Sequence, residues 1–376
     1  MSSPAVSKPS VVSKGTASSK PIARLATGLE LEKWDLLVAR FPNKRTFHSS
    51  AWCRSVASLV SARPVFLVFE TGGEIVGALP GYILRLGPLN VFGSPLEGSQ
   101  TESMGPVFDP RRTSGPAIMA AAIDLLESEF NIHHIEIAGR DFDAGEMEAL
   151  GFHSYPQFTY RAVLFPQDAD KGFAKLNPKV RNRVRKCQRA GITVSVHTDM
   201  TAADEFVAEC FDQTKEVFTR RGNAVPFSHK RMFACYEALA KTGDLLALNV
   251  KTDAGRSIAT GLFSADGSEL VLWMWTHRYD ARLQSPTEFL TWTAMEHAAA
   301  RGCSVFDMTG GGEAKRKFGG EPDQQTLRWI RSRYFWMPAA RELARRAYRW
   351  QQRTRGQMRR ALANRNVERV EQGAAD

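Results

Sequence analysis

Gly310, Gly311 and Gly312 are followed within a few residues by Lys315, Arg316 and Lys317, directly after the run Ser304-Val305-Phe306-Asp307-Met308. The alternation of that run reads as a half-buried strand, and Gly302 ends the helix before it. Glycines then permit a close backbone approach, and the cations come next. This order offers free N–H groups and positive charge to something negatively charged or becoming so. The competing reading is a glycine-rich surface loop with solvated lysines.

The elements that must position this loop come in two similar sets. Residues 65–70 and 75–79 form a hairpin around Thr71-Gly72-Gly73-Glu74, and residues 245–251 and 256–263 form another, followed by a strand over 269–276. Each hairpin precedes a helix and a strand: 117–130 then 134–138, and 286–301 then 304–308. This repetition reads as a duplicated mixed α/β unit. A helical region over 171–190 carries one cationic row of Lys179, Arg183 and Lys186 and another of Arg181, Arg185 and Arg189. Ser285-Pro286-Thr287-Glu288 reads as a helix start, with Ser285 as N-cap and Glu288 closing a capping box. Trp273 and Trp275, at period two, fall on one strand face.

The 376 residues carry a formal charge of +10. Residues 1–24 contribute +4 and 331–370 contribute +10, whereas 25–330 sum to −2. The basicity thus belongs to the tails, which argues against a nucleic-acid-binding body. Five cysteines without CxxC or His/Cys ligand spacing indicate neither a disulfide framework nor a metal site, and fit a reducing cytosol. No apolar run reaches membrane-spanning length. Residues 1–24 read as a disordered tail. Residues 331–376 read as a basic amphipathic helical tail, with Leu343, Ala347, Trp350, Met358 and Leu362 on its apolar stripe. Such a tail suits an anionic membrane surface or RNA phosphates.

Taken together, residues 45 to 330 resemble the FemAB-type branch of the GNAT acyltransferase superfamily, which includes the CelD-like proteins of polysaccharide biosynthesis. The resemblance lies in Phe47 with Trp52, Gly77-Ala78-Leu79-Pro80, Pro178 to Gly191, Ser285-Pro286, and Phe306-Asp307 leading to Lys315 and Lys317-Phe318-Gly319-Gly320. Ala314 stands where the family usually has phenylalanine. The resemblance implies an α/β (α+β) protein of two tandem GNAT-like mixed-sheet domains with helices on both faces. Their expected spans are 25–165 and 166–330, the second carrying the site. It further implies an N-acyltransferase passing an acyl or aminoacyl group to an amine of a cell-envelope or polysaccharide-related acceptor, small or lipid-linked.

On this resemblance Lys315 and Asp307 are the catalytic candidates. Arg181, Arg185, Lys186, His277, Arg278, Gly310, Gly311, Lys317 and Phe318 are candidates for substrate binding. Asp307, His277, Tyr279 and Glu313 are the ionisable groups near the loop, and the sequence does not rank them as a base. Acyl-CoA, such as acetyl-CoA, is the implied donor, although Arg278 to Pro286 lacks a glycine-rich phosphate loop; aminoacyl-tRNA is the other donor the branch uses. No metal is implied. The expected location is cytoplasmic and peripheral at the inner membrane surface through 331–370. The first unit lacks a glycine–lysine loop and is read as shaping the acceptor cleft. The rival reading is a non-catalytic degenerate fold that binds nucleic acid or an anionic polymer, with salt-sensitive affinity.

Overall fold

The computed structural model describes residues 20–282, 285–343, 345–347, 350, 351 and 354. In chain order the first half comprises β1 (Ile22–Leu25), α1 (Gly28–Glu32), α2 (Trp34–Val38), α3 (Ser50–Val60), β2 (Arg63–Thr71), β3 (Glu74–Leu86), β4 (Leu89–Ser94), β5 (Val107–Phe108), α4 (Gly115–Phe130), β6 (Ile132–Gly139), α5 (Ala144–Ala149) and β7 (His153–Pro156). There follow β8 (Thr159–Val163), α6 (Ala169–Lys175), α7 (Pro178–Arg189), β9 (Thr193–His197), α8 (Ala203–Arg220), α9 (His229–Thr242), β10 (Leu245–Lys251), β11 (Ser257–Ala265) and β12 (Glu269–His277). The chain continues through α10 (Pro286–Ala300), β13 (Val305–Asp307), a 3-10 helix Glu313–Phe318, β14 (Glu321–Asp323) and β15 (Leu327–Ser332).

The strands form two sheets, in the orders β1-β2-β3-β4-β6-β15-β7, with β5 beside β3, and β9-β10-β11-β12-β13-β8-β14. Position by position the two orders correspond. Each contains a parallel pair, β4 with β6 and β12 with β13, and the other pairings are antiparallel. A parallel pair needs a crossover connection, here supplied by α4 and α10. The duplicated α/β unit and its hairpins are therefore present.

The sheets divide the chain differently from the spans 25–165 and 166–330. β8 lies before residue 166 yet pairs with β13 and β14, while β15 returns from the far end to lie between β6 and β7. Each half thus takes its sixth strand from the other side of the sequence boundary. Alternation identifies a strand, but its partner is chosen by non-local register. The N-terminal tail is also shorter than expected: residues 1–19 lie outside the described residues, but β1 pairs with β2, and Arg24 binds Glu30 at 2.7 Å and also Glu70. The C-terminal tail begins only after β15. It is helical at 337–343, 345–347, 350, 351 and 354. Met358, Leu362 and the rest of 355–376 lie outside the described residues.

Burial alternates as a two-faced strand requires. Val65, Leu67 and Phe69 pack toward α4, whereas Phe66 and Val68 join Trp34, Trp52, Phe206, Tyr236, Ala247 and Leu262 in a core shared by both halves. Leu246, Leu248 and Val250 point the other way, toward α7 and α10. The layers are therefore helix, first sheet, shared helices, second sheet, helices, with α3 packed on α9 at the centre.

Candidate active site: an open fork between two parallel strands

β13 is only three residues long, and its pairing with β12 stops at Val271 opposite Asp307. β12 runs on through Leu272–His277, so the two strands part as a fork. Six residues of extended strand span about 20 Å. Such a crevice beyond the carboxyl end of parallel strands is where open α/β sheets receive ligands. The opening is helped by a bulge: Leu262 faces Met274 and Phe263 faces Leu272, which leaves Trp273 as the extra residue. The bulge corrects the expectation that Trp273 and Trp275 share a face. Trp273 packs on Phe227, with ring centroids 5.3 Å apart, and Trp275 packs on Phe318 at 5.9 Å. Trp273 Nε1 has no hydrogen-bond partner.

The glycine loop sits at the mouth of this fork. Thr309 adopts a φ of 46°, unusual for a β-branched residue, and its hydroxyl donates to Leu272 O at 2.9 Å. Lys315 holds the loop from inside: its ammonium donates to Met308 O at 2.8 Å, Gly310 O at 3.0 Å and also Thr309 O. An ammonium has three protons, and each has an acceptor here. Because a trans peptide sets N–H opposite C=O, carbonyls turned toward Lys315 aim the following N–H groups away from it. The Thr309 N–H goes to Asp307 Oδ1 at 2.9 Å. Those of Gly310 and Gly311 remain for a ligand, and a Cβ built on Gly311 meets nothing within 4 Å. Burial lowers the Lys315 pKa from 10.5, against the opposing pull of Glu102 and Asp307.

Asp307 is buried and fully engaged. Its carboxylate accepts from the Thr159 hydroxyl at 2.5 Å, the Thr309 N–H and Arg140 at 3.3 Å. Arg140 also binds Asp323 at 3.0 Å, and Glu269 joins Arg161 at 2.6 Å and Arg45 at 3.6 Å. This network ties the halves together across the fork. In this geometry Asp307 positions the loop and has little left with which to accept a substrate proton.

The other candidates are spread along β12 and α7. Ser285 does not cap α10: its φ is 55°, it makes no side-chain cap bond, and Glu288, expected to complete a capping box, is buried with Arg183 at 2.5 Å and Lys317 at 2.8 Å. Sequence spacing permitted the box, but two cations from outside the helix compete for Glu288. His277 ends β12 in the field of Glu288 and Lys317, its pKa lowered by burial and by Arg221. Arg278 binds Glu209 at 2.8 Å, and Glu216 lies 3.8 Å away. The fork, His277 and Lys317 thus form one track toward the start of α10. The helical region over 171–190 is broken at Leu176, where Asn177 caps α7 and Pro178 begins it. Arg181 donates to the carbonyls of Ala174 and Leu176, so it secures that break. Arg185 lies 5.3 Å from the centre of the Phe173 ring. Lys186 lines a separate small pocket with Cys187 and Asp253. Phe318 is buried beneath the loop.

Glu102 was not among the sequence candidates. It lies on the segment 95–106 of the first half, open to solvent on one side. Surrounding protein raises its pKa from 4.5, Asp307 raises it further, and Arg328 and Lys315 oppose. An accessible carboxyl of raised pKa beside a glycine–lysine loop has the character of a general base. Its neighbours, more than 200 residues away in sequence, come from the tertiary fold, so no local pattern marks it.

The same segment closes the first half's own parallel pair. β4 pairs with β6 from Asn90 as far as Ser94, its last residue. Ser94 Oγ then donates to Pro80 O at 2.6 Å and accepts from Gly105 N at 3.1 Å, while Met104 N donates to Ala138 O at 2.9 Å. Leu96, buried, packs against Gly93.

The forked parallel pair, the N–H-bearing loop at its mouth and the crossover helix that joins the strands all lie in the second half. Residues 174–317 match the family model described as Acetyltransferase (GNAT) domain. The fold is similar to that in the crystal structure of FemX, with TM-score 0.66 at 14% identity, covering 82% of this chain and 97% of that one. It is also similar to the C-terminal domain (DUF2156) of a putative lysylphosphatidylglycerol synthetase from Agrobacterium fabrum, with TM-score 0.55 and 12% identity over 84% of this chain and 95% of that one. L-PGS from Bacillus licheniformis gives TM-score 0.53 and 12% identity over 84% and 96%. At such identities the likeness is one of fold. No curated protein matches the sequence. Among the described residues no group of His, Cys, Asp and Glu is arranged to hold a metal ion, and no helix is long and apolar enough to cross a membrane.

Proposed function

We propose that this protein transfers an acyl group from acyl-CoA to an amine of a cell-envelope or polysaccharide-related acceptor, in the fork between β12 and β13. The observation that carries this reading is the loop 308–312, whose carbonyls are gathered by Lys315 so that the Gly310 and Gly311 N–H groups turn away from it. These N–H groups are placed to receive the oxyanion as the amine adds to the thioester carbonyl. Glu102 takes the amine's proton, and the thiolate then leaves as the carbonyl re-forms. The free edge of β12 suits an extended donor arm. Lys317 and Arg183, beside the first turn of α10, suit its phosphates, provided Glu288 yields part of its pairing. The acceptor approaches from the side of Glu102, between the halves. The name of one fold neighbour, a putative lysylphosphatidylglycerol synthetase, supports an acceptor at the membrane surface, and the basic tail supports a peripheral membrane location.

Thermal unfolding with and without acetyl-CoA or longer acyl-CoAs tests the donor. At about 100 times its dissociation constant a ligand adds roughly 2.7 kcal/mol to stability. A shift is expected with acyl-CoA. A shift only with aminoacyl-tRNA would replace the donor and keep the site; no shift with either would contradict the reading.

A further inference from the structure

We infer that the first half carries a docking surface for anionic phospholipid, formed jointly by the tip of the β3–β4 hairpin and residues 334–341, with a pocket for one acyl chain. This deepens, and rests on, the membrane placement in the proposed function, but it involves a face of the first sheet and not the fork.

Phe335 is 96% exposed, beside the exposed Tyr334 and Trp336. Tyr334 stacks on Trp336, with ring centroids 5.8 Å apart and planes 7° from parallel, and its other contact is with His133 at 5.9 Å. Tyr334 and Trp336 thus hold each other beside Phe335. Across from it, Leu86 at the hairpin tip is also exposed. Between them lies a pocket of about 270 Å³ with mostly apolar walls, lined by Leu86, Leu89 and Val91 on one side and Trp336, Met337 and Ala340 on the other. Leu343 and Trp350 extend the exposed apolar surface along the helix. A soluble surface rarely leaves such a contiguous patch to water.

What covers it follows from charge and shape. In sequence, residues 331–370 hold twelve arginines against two acidic residues, a composition that favours anionic headgroups for the segment that carries these aromatics. Arg341 stands at the pocket wall, its charge held by Glu136 at 2.6 Å and by Glu97. Aromatic rings in the turn that leads into an arginine-bearing helix suit the boundary between headgroups and chains. The pocket gives a displaced chain a mostly apolar site, with His134 and Glu136 also in its lining.

The test is co-sedimentation of the full chain with vesicles of phosphatidylcholine alone and of phosphatidylcholine mixed with phosphatidylglycerol, with no donor or acceptor present, so that it reads lipid binding and not transfer. Binding to the mixed vesicles, weakened by salt, is expected. Leu86→Ser and Phe335→Ser should each weaken it about tenfold or more. Leu36→Ser, at an exposed leucine on α2, should not. All three sites are exposed, and unchanged melting temperatures verify folding. No binding to the mixed vesicles would overturn the inference. Binding that survives both Leu86→Ser and Phe335→Ser would also overturn it, by leaving the basic tail alone as the contact. So would a dimer in solution that these substitutions dissolve, because a second copy would then be the occupant.

Discussion

The two parallel pairs of this protein are built alike and end differently. In the first half, β4 stays paired to its last residue, and the segment 95–106 seals the space beyond it. In the second, β12 carries a bulge at Trp273 and leaves β13 after three pairs. The segment that closes the first pair also brings Glu102 toward the open one. The repeated unit thus leaves one fork open and one sealed, and the segment that seals the one borders the other. Ion pairs from Arg140 to Asp307 and from Arg45 to Glu269 keep the two in register.

The comparison can be broken first at the sealed fork. Glu136 is buried on β6, and its carboxylate binds Arg328 at 3.0 Å, Arg341 at 2.6 Å and His134 at 3.2 Å. Burial alone would raise its pKa, but the His134 hydrogen bond and the Arg341 and Arg328 charges outweigh it and hold the value at about 2. Glu136→Gln leaves those cations uncompensated and should cost about 3–5 kcal/mol in a urea melt. The sign of the pH dependence follows from the lowered value. Glu136 contributes its stability fully above the unfolded 4.5 and loses it as pH falls through about 2, so the variant should lose less stability over that acid window than the parent.

At the open fork, Lys315→Ala should lower kcat/KM by about 10²–10³-fold, because the carbonyls it gathers lose their anchor and the N–H groups their aim. Circular dichroism should show the fold retained, and an unchanged rate would remove the loop from the mechanism. Glu102→Gln should cost about 10²-fold. It should also abolish the acid limb of the pH–rate profile, which burial and Asp307 shift upward from 4.5. An unchanged limb would assign the base elsewhere. The smallest effect is expected at Ser285→Ala, within about 0.5 kcal/mol, because its hydroxyl makes no cap bond. A loss of 1 kcal/mol or more would restore it as an N-cap.

How much of this the sequence disclosed depends on range. The hairpins, α4, α10 and the loop after Met308 were legible because period, turn residues and glycines are local signals. The exchange of β8 and β15 was not, because alternation in Thr159–Val163 or Leu327–Ser332 says nothing about which sheet receives it. The site divides in the same way. Lys315 and the glycines are adjacent in sequence, whereas Glu102 meets them only through the tertiary fold. Asp307 was visible as an acid at a strand end, but its bonds to Thr159 and Arg140, which turn it into a positioning group, are long-range. The capping box failed for the related reason that Arg183 and Lys317 reach Glu288 from other elements.

The most direct measurement is hydrogen–deuterium exchange of the full chain with and without saturating acyl-CoA. Protection is expected to concentrate in residues 271–277, 308–320 and the start of α10, with 89–94 and 132–139 unchanged. Protection centred on the β4–β6 pair, or protection that leaves 308–320 untouched, would contradict the claim that the second fork alone is the transfer site.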